Sequence, residues 1–248
     1  MQIAAGKYAI SAFMICLICI TDLKAGPPFN TDDPEPVDFR HWEYYISSID
    51  NFEPDIWSGT LPHFEVNYGL VKNVQIHLLL PFNYNYTVHH STTIGYANTE
   101  LGIKYRFVQE TDNMPQIGTF PIFEIPTVRN SEFSNGKMKV FIPVWIQKSW
   151  GKFTTYGGAG YWINPGTGNK NYSFAGLEAQ YDLSRIFTLG GEAYYQTPDK
   201  IDGKPVAGFN IGGFINFSEK IINAENSGLV DFVFPGDCSR TENYGHDS

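Results

Sequence analysis

Hydrophobic and polar residues alternate with a period of two in ten separate segments of the chain. In segment 60–70, Phe64 and Val66 would face one side of a strand. The polar residues His63 and Glu65 would face the other side. Alternation of this kind is typical of β-strands that have one apolar and one polar face. The ten segments are 39–48, 60–70, 74–82, 96–108, 116–126, 137–148, 153–163, 172–182, 186–196 and 207–217.

The connections between these segments alternate between long and short. The long connections are 49–59, 83–95, 127–136, 164–171 and 197–206, and the short ones are 71–73, 109–115, 149–152, 183–185 and 218–220. Bacterial outer-membrane barrels have this asymmetry, because their periplasmic turns are short and their external loops are longer. The segments also have about the length that a tilted strand needs to cross a bilayer. We therefore predict an all-β fold, an antiparallel, up-and-down transmembrane β-barrel of about ten to twelve strands over residues 39–220.

The first residues have the features of an export signal. Lys7 precedes an apolar run over 9–20, which is shorter than the roughly 20 apolar residues of a membrane-spanning helix. Such a run is typical of a secretory signal peptide. We predict a signal peptide over 1–25, cleaved after Ala25, followed by an N-terminal periplasmic segment over 26–38. An uncleaved anchor or a lipoprotein is the alternative.

Composition and charge are consistent with a barrel and narrow the possible partners. Aromatic residues make up 16% of the chain and charged residues 17%, below the roughly 25% charged residues of average soluble domains. The net charge is −9 for the whole chain and changes little without residues 1–25. An acidic protein offers no electrostatic surface for nucleic acid. After cleavage Cys238 is the remaining cysteine, so the sequence predicts no internal disulfide and no cysteine metal cluster.

The polar faces of the predicted strands carry many ionisable residues. Such groups are costly at membrane depth unless they face water or a partner, so we expect them to line the interior, or lumen, of the barrel. They could form a polar passage or binding site, or they could form internal salt bridges that fill a narrow barrel. The candidate lumen-lining residues are Glu43, His63, Glu65, His77, Glu100, Lys104, Arg106, Glu124, Glu178 and Glu192.

Other possible chemistry is weakly supported by the sequence. A nucleophile elbow of the GxSxG type is not found, so we predict no enzyme, no catalytic residue and no cofactor. Adjacent His89 and His90 are interpreted as part of an external loop rather than a metal site. Asp32, Asp33 and Glu35 could hold a divalent cation. Their proline-rich context favours instead a polar segment that plugs or caps the periplasmic mouth of the barrel.

Several stretches of the chain resemble a known family. They read GPPFNTDDPEPVDFRHWEYYI at 26–46, ELGIKYRF at 100–107, VFIPVWIQKSWGKFTTYGGAGYWINPG at 140–166 and LGGEAYYQTPD at 189–199. These stretches are similar to the bacterial outer-membrane barrels of the meta-pathway of phenol degradation family, which are called transporters. The resemblance covers about 26–218. It implies an outer-membrane barrel and the passage of small, aromatic compounds.

The C-terminal tail departs from this family. The resemblance implies further alternating strands and a final strand that ends in an aromatic residue. Residues 221–248 instead end in a polar sequence, and only 221–222 and 229–234 keep a strand-like composition. We interpret this tail as truncated or divergent, which bears on closure of the barrel and on recognition by the barrel-assembly machinery.

The sequence therefore predicts a passive outer-membrane channel or facilitator for small, hydrophobic or aromatic solutes, with outer-membrane lipid around it. One alternative is a structural barrel with a filled lumen. A second is a soluble, secreted β-barrel that binds an apolar ligand. The direction of the apolar side chains separates these hypotheses, because a soluble barrel would turn Phe64, Leu78, Ile103 and Ile211 inward.

Overall fold

A computed structural model describes residues 29–52, 55–87, 92–128, 132–217 and 228–237 of the 248-residue chain. The signal peptide predicted over 1–25 lies outside the described residues, as do His89, His90 and Cys238. Within these ranges no helix is long and apolar enough to cross a membrane.

The described residues form an all-β, antiparallel sheet, which confirms this part of the predicted fold class. Its thirteen strands are β1 (Trp42–Phe52), β2 (Ile56–Val71), β3 (Val74–Thr87), β4 (Thr93–Tyr96), β5 (Thr99–Val108), β6 (Gln116–Thr119), β7 (Ile122–Ile125), β8 (Lys139–Trp150), β9 (Phe153–Ile163), β10 (Tyr172–Asp182), β11 (Phe187–Gln196), β12 (Val206–Phe217) and β13 (Gly228–Asp237).

The sheet is a simple meander in which strands that follow one another in the chain pair side by side. Strands β4 and β5 both pair with β3, and β6 and β7 both lie between β5 and β8. Each of these two pairs therefore acts as one interrupted strand. The second interruption falls at Phe120 and Pro121, and proline lacks the N–H group that a continuous ladder requires.

All ten predicted segments contain strand, but several of the predicted boundaries are wrong, since β1 continues to Phe52 and β8 to Trp150. Strands β2 and β3 continue well into the connections predicted at 49–59 and 83–95, as far as Ile56 and Thr87. These extensions are rich in β-branched and aromatic residues, which favour extended backbone. After β12 the meander continues with β13, which pairs with β12 over its whole length.

The two faces of the sheet are opposite in character to those of a soluble protein. Phe64 is 38% exposed, and Ile103 and Ile211 are each 49% exposed. The neighbouring polar residues on the other face, such as Lys104 and Asn210, are buried. Soluble sheets bury the apolar face and expose the polar one.

The sheet curves around its polar face. The backbone N–H of Thr31 reaches Glu192 on β11, and that of Val37 reaches Gln75 on β3. Six residues span at most about 21 Å. The six ladder steps from β3 to β11 would extend over about 29 Å in a flat sheet. The stretch is shorter than this separation, so curvature of the sheet and the reach of the Gln75 and Glu192 side chains together bring both strands within its range.

Two neighbouring residues of β9 provide a test of this packing. A Cβ on Gly158 would overlap with the carbonyl oxygen of Val144 and lie 2.7 Å from Cε3 of Trp145. Gly158→Val should lower the free energy of unfolding by about 3 kcal/mol, because the added side chain would overlap with the backbone and the indole ring of β8.

The matched control is Ala159→Val, since Ala159 is exposed on the opposite face. Denaturant unfolding followed by tryptophan fluorescence measures both variants. Equal stability of the two proteins would contradict the assignment of Gly158 to the packed face.

Candidate functional site

The ten ionisable residues singled out in the sequence all belong to the polar side of the sheet. Most are buried or half-buried, and several of them form two groups. One group surrounds His77, and one contacts the N-terminal segment, defined here as residues 29–41. Of the rest, Glu43, His63 and Glu124 have separate local contacts, whereas Glu178 has no hydrogen-bond partner among the described residues. The residues are Glu43, His63, Glu65, His77, Glu100, Lys104, Arg106, Glu124, Glu178 and Glu192.

The first group joins β2, β3 and β5 through the buried imidazole of His77. Its Nδ1 lies 2.8 Å from Oδ1 of Asn67 and 3.4 Å from Oε1 of Glu65. Its Nε2 lies 3.0 Å from Oε1 of Glu100. The ring of Phe120 meets the imidazole edge-on, with centroids 5.3 Å apart. A histidine between two glutamates ties three strands together on the polar side.

The second group holds the N-terminal segment by ion pairs. Nζ of Lys104 lies 3.0 Å from Oδ1 of Asp32 and 3.5 Å from Oδ1 of Asp33. Burial raises the pKa of the Asp33 carboxyl, and the positive charge of Lys104 offsets part of this effect. Nη1 of Arg106 lies 3.5 Å from Oε1 of Glu35. The acidic cluster therefore pairs with basic residues of β5.

Glu192 on β11 binds the backbone of the same segment. Its two carboxylate oxygens accept hydrogen bonds from the backbone N–H groups of Asn30 and Thr31, each at 2.8 Å. Nδ2 of Asn210 donates a further bond to Oε1 at 2.5 Å. A carboxylate with three N–H donors is well compensated for its burial. Glu192 thus fixes one end of the segment against the polar face of the sheet, which is called the wall below.

Glycines in the wall make room for the segment. A Cβ on Gly176 of β10 would overlap with Oγ1 of Thr31, and a Cβ on Gly118 of β6 would lie 2.9 Å from Cβ of Pro34. Thr31 and Pro34 are both fully buried. The segment and the polar face of the sheet therefore fit closely.

An aromatic cluster fills part of the polar side, and the sequence analysis did not anticipate it. Phe120, Phe141, Trp145 and Phe174 are buried together, and Ile122, Trp162 and Tyr194 pack against them. The rings of Phe141 and Trp162 stack with centroids 4.7 Å apart. The signal was present in the alternation, because Phe141 and Trp145 share the strand face of Gln147.

The remaining candidates are not brought together with the segment. Nζ of Lys139 lies 2.9 Å from Oε2 of Glu124. The Tyr45 hydroxyl donates to Oε2 of Glu43 at 2.7 Å. Nε2 of His63 contacts the hydroxyl of Ser47, and its Nδ1 lies 3.1 Å from Oγ1 of Thr60.

A cavity of about 340 Å³ lies beyond these groups, at the ends of β2 and β3. Its lining includes the hydroxyls of Ser58 and Thr60 and the amides of Asn83 and Asn85, with Phe133 beside them. In the described part of the chain, no three His, Cys, Asp or Glu side chains form a group that could hold a metal ion.

Comparison with known proteins adds no family assignment. No known protein family model matches the chain, and no curated protein sequence is significantly similar to it. The resemblance to phenol-degradation outer-membrane barrels therefore stays a prediction.

The ion pairs to Lys104 predict how firmly the segment is held. In Lys104→Met, two partly buried carboxylates lose their partner, and the bound segment should be destabilised by about 2 kcal/mol. Hydrogen–deuterium exchange of the backbone amides in 29–41 should become faster by a factor of roughly 30.

Lys139→Met serves as the control, because Lys139 pairs with Glu124 and not with the segment. Exchange in 29–41 should stay at the wild-type rate in that variant. Unchanged exchange in Lys104→Met would show that the ion pairs do not hold the segment.

Proposed function

We propose that this chain is an outer-membrane β-barrel that lets small solutes pass, and that its N-terminal segment closes the passage. The observation that carries the proposal is the reversal of the two faces: the apolar face is exposed and the polar face is buried. Hydrocarbon lipid accepts such an apolar surface, whereas water does not. The reversal disfavours the soluble barrel, which would turn Phe64, Ile103 and Ile211 inward.

Aromatic side chains on the exposed face support a membrane location. Trp57 is 48% exposed and Trp150 is 57% exposed. They lie at opposite ends of the sheet, because β2 begins beside Trp57 and β8 ends at Trp150. Each has an aromatic neighbour, Tyr86 for Trp57 and Phe153 for Trp150. Two aromatic girdles are typical of outer-membrane barrels.

A membrane location requires that the sheet close into a barrel, since an open sheet edge cannot face hydrocarbon. The pairing path contains eleven strands, each antiparallel to the next. Strands β1 and β13 at its two ends therefore run in the same direction. An antiparallel closure requires one further strand, and the total would then be the even number usual in bacterial barrels.

The closed state follows from the contacts of the N-terminal segment. It occupies the polar interior between β3, β5 and β11, so a solute can pass only when the segment is displaced. Its attachments to Gln75, Lys104 and Glu192 are hydrogen bonds and ion pairs. Such contacts exchange with water at a modest net cost, which suits a reversible closure.

The aromatic cluster supports small aromatic compounds as solutes. Trp145, Phe141 and Phe174 place buried aromatic rings within an otherwise polar interior, and an aromatic solute would stack on a ring face that opens when the segment is displaced. The expected partners are lipid around the apolar face and the barrel-assembly machinery during insertion.

A structural barrel with a filled lumen is the second candidate. The ion pairs at Lys104 and Lys139 and the buried aromatic cluster favour it, because they fill the interior without a solute. The two functions differ in a single property, which is whether the segment can leave.

A removable crosslink between the segment and the wall decides between them. The Cβ of Thr31 lies 3.1 Å from the place where a Cβ of Gly176 would be. This is shorter than the roughly 3.5–4.5 Å found in disulfides, so the segment has to move outward by about half an ångström for the bond to form. In planar bilayers, Thr31→Cys/Gly176→Cys in a Cys238→Ser background should conduct only after reduction. Lys104→Met should be open roughly 30-fold more often than wild type, which corresponds to the loss of about 2 kcal/mol given above.

The single variant Thr31→Cys, also with Cys238→Ser, is the control and should respond to neither oxidant nor reductant. If neither the reduced crosslink variant nor Lys104→Met conducts, the passage does not exist and the filled structural barrel stands.

A further inference from the structure

Glu178 on β10 is a buried carboxylate without a partner in the part of the chain that the structure describes. Its side chain is completely buried, and neither of its oxygens has a hydrogen-bond partner there. Glu192, directly opposite on β11, accepts three N–H donors instead. A buried charge that is neither paired nor hydrogen-bonded is strongly unfavourable. The difference between the two glutamates therefore needs a physical explanation.

The surroundings of Glu178 supply oxygens rather than positive charge. Tyr156 faces it across the ladder from β9, and Gln180 is the next residue of β10 on the same side. The Tyr156 hydroxyl and the Oε1 atom of Gln180 are also buried and unpartnered. The charged groups that act on Glu178 are Glu192 and Asp33, and both are negative.

The basic residues on this side of the sheet already form ion pairs with other carboxylates. Lys104 pairs with Asp32 and Asp33, Arg106 with Glu35, and Lys139 with Glu124. A protein cation therefore does not neutralise Glu178 in the described part of the chain. A proton on its carboxyl would add one donor, which serves one of the unpartnered oxygens here and leaves the others unsatisfied.

We propose that Glu178 anchors a binding site for a monovalent metal cation, Na⁺ or K⁺, with Gln180 and Tyr156 as neutral oxygen ligands. A cation satisfies the carboxylate and the amide oxygen together. It also separates the like charges of Glu178 and Glu192. One free carboxylate with neutral oxygens suits a single positive charge, since divalent ions in proteins recruit more carboxylates. This site requires the fold alone and is independent of solute passage.

Thermal unfolding of the full chain in detergent micelles tests the site. The protein is compared in NaCl, KCl and choline chloride at equal ionic strength. Wild type should melt several degrees higher in 200 mM than in 1 mM of the preferred metal ion, and choline should give no such shift. The salt that raises the melting temperature, NaCl or KCl, identifies the preferred ion.

Glu178→Gln keeps the shape of the side chain and removes its charge, so the metal-dependent shift should be lost. Glu124→Gln is the matched control, because Glu124 is paired with Lys139, and it should keep the shift. Tyr156→Phe should retain a weaker shift that needs several-fold more metal ion.

Three results would overturn the proposal. One is equal melting of wild type in all three salts, which would assign a protonated carboxyl to Glu178. Another is a shift that persists in Glu178→Gln. The third is stabilisation by micromolar CaCl₂, which would make the site divalent. Should Glu178→Gln fail to fold, ²³Na line broadening on wild type, reversed by excess K⁺, gives the same decision.

Discussion

The charged groups on the buried polar side of this sheet have to find their partners on that same side, because the other side is apolar and exposed. This constraint explains most of the interior. His77 is shared between Glu65 and Glu100, Lys104 pairs with two aspartates, and Glu192 accepts backbone N–H donors. Each contact compensates a group that water would otherwise solvate. The N-terminal segment belongs to the same system, since its carboxylates and amides complete the pairing of the wall.

The strands were predictable from the sequence because their signal is local. A period of two is visible within any ten residues, and it identifies the apolar and polar faces correctly at Phe64, His63 and Ile103. Strand ends were less predictable. The composition of the extensions to Ile56 and Thr87 favours extended backbone, but the points at which these strands end depend on the pairing between β2 and β3.

The candidate site was predictable as a set of residues but not as a set of partners. Alternation places Lys104 and Glu192 on one side, whereas their contacts with Asp32 and Thr31 depend on how the sheet curves. The aromatic cluster around Trp145 was missed for a related reason. The candidates for the interior were chosen because they are ionisable, although the strand position of Trp145 places it on the same face.

The contact between Asn30 and Glu192 joins residues 162 positions apart in the chain. The segment is translated first, yet the surface that binds it is complete only when β11 and Asn210 of β12 are in place. Contacts of such large sequence separation form late in folding. Assembly of the strands must therefore precede docking of the segment. The polar face of the sheet stays hydrated until residues 29–41 bind to it.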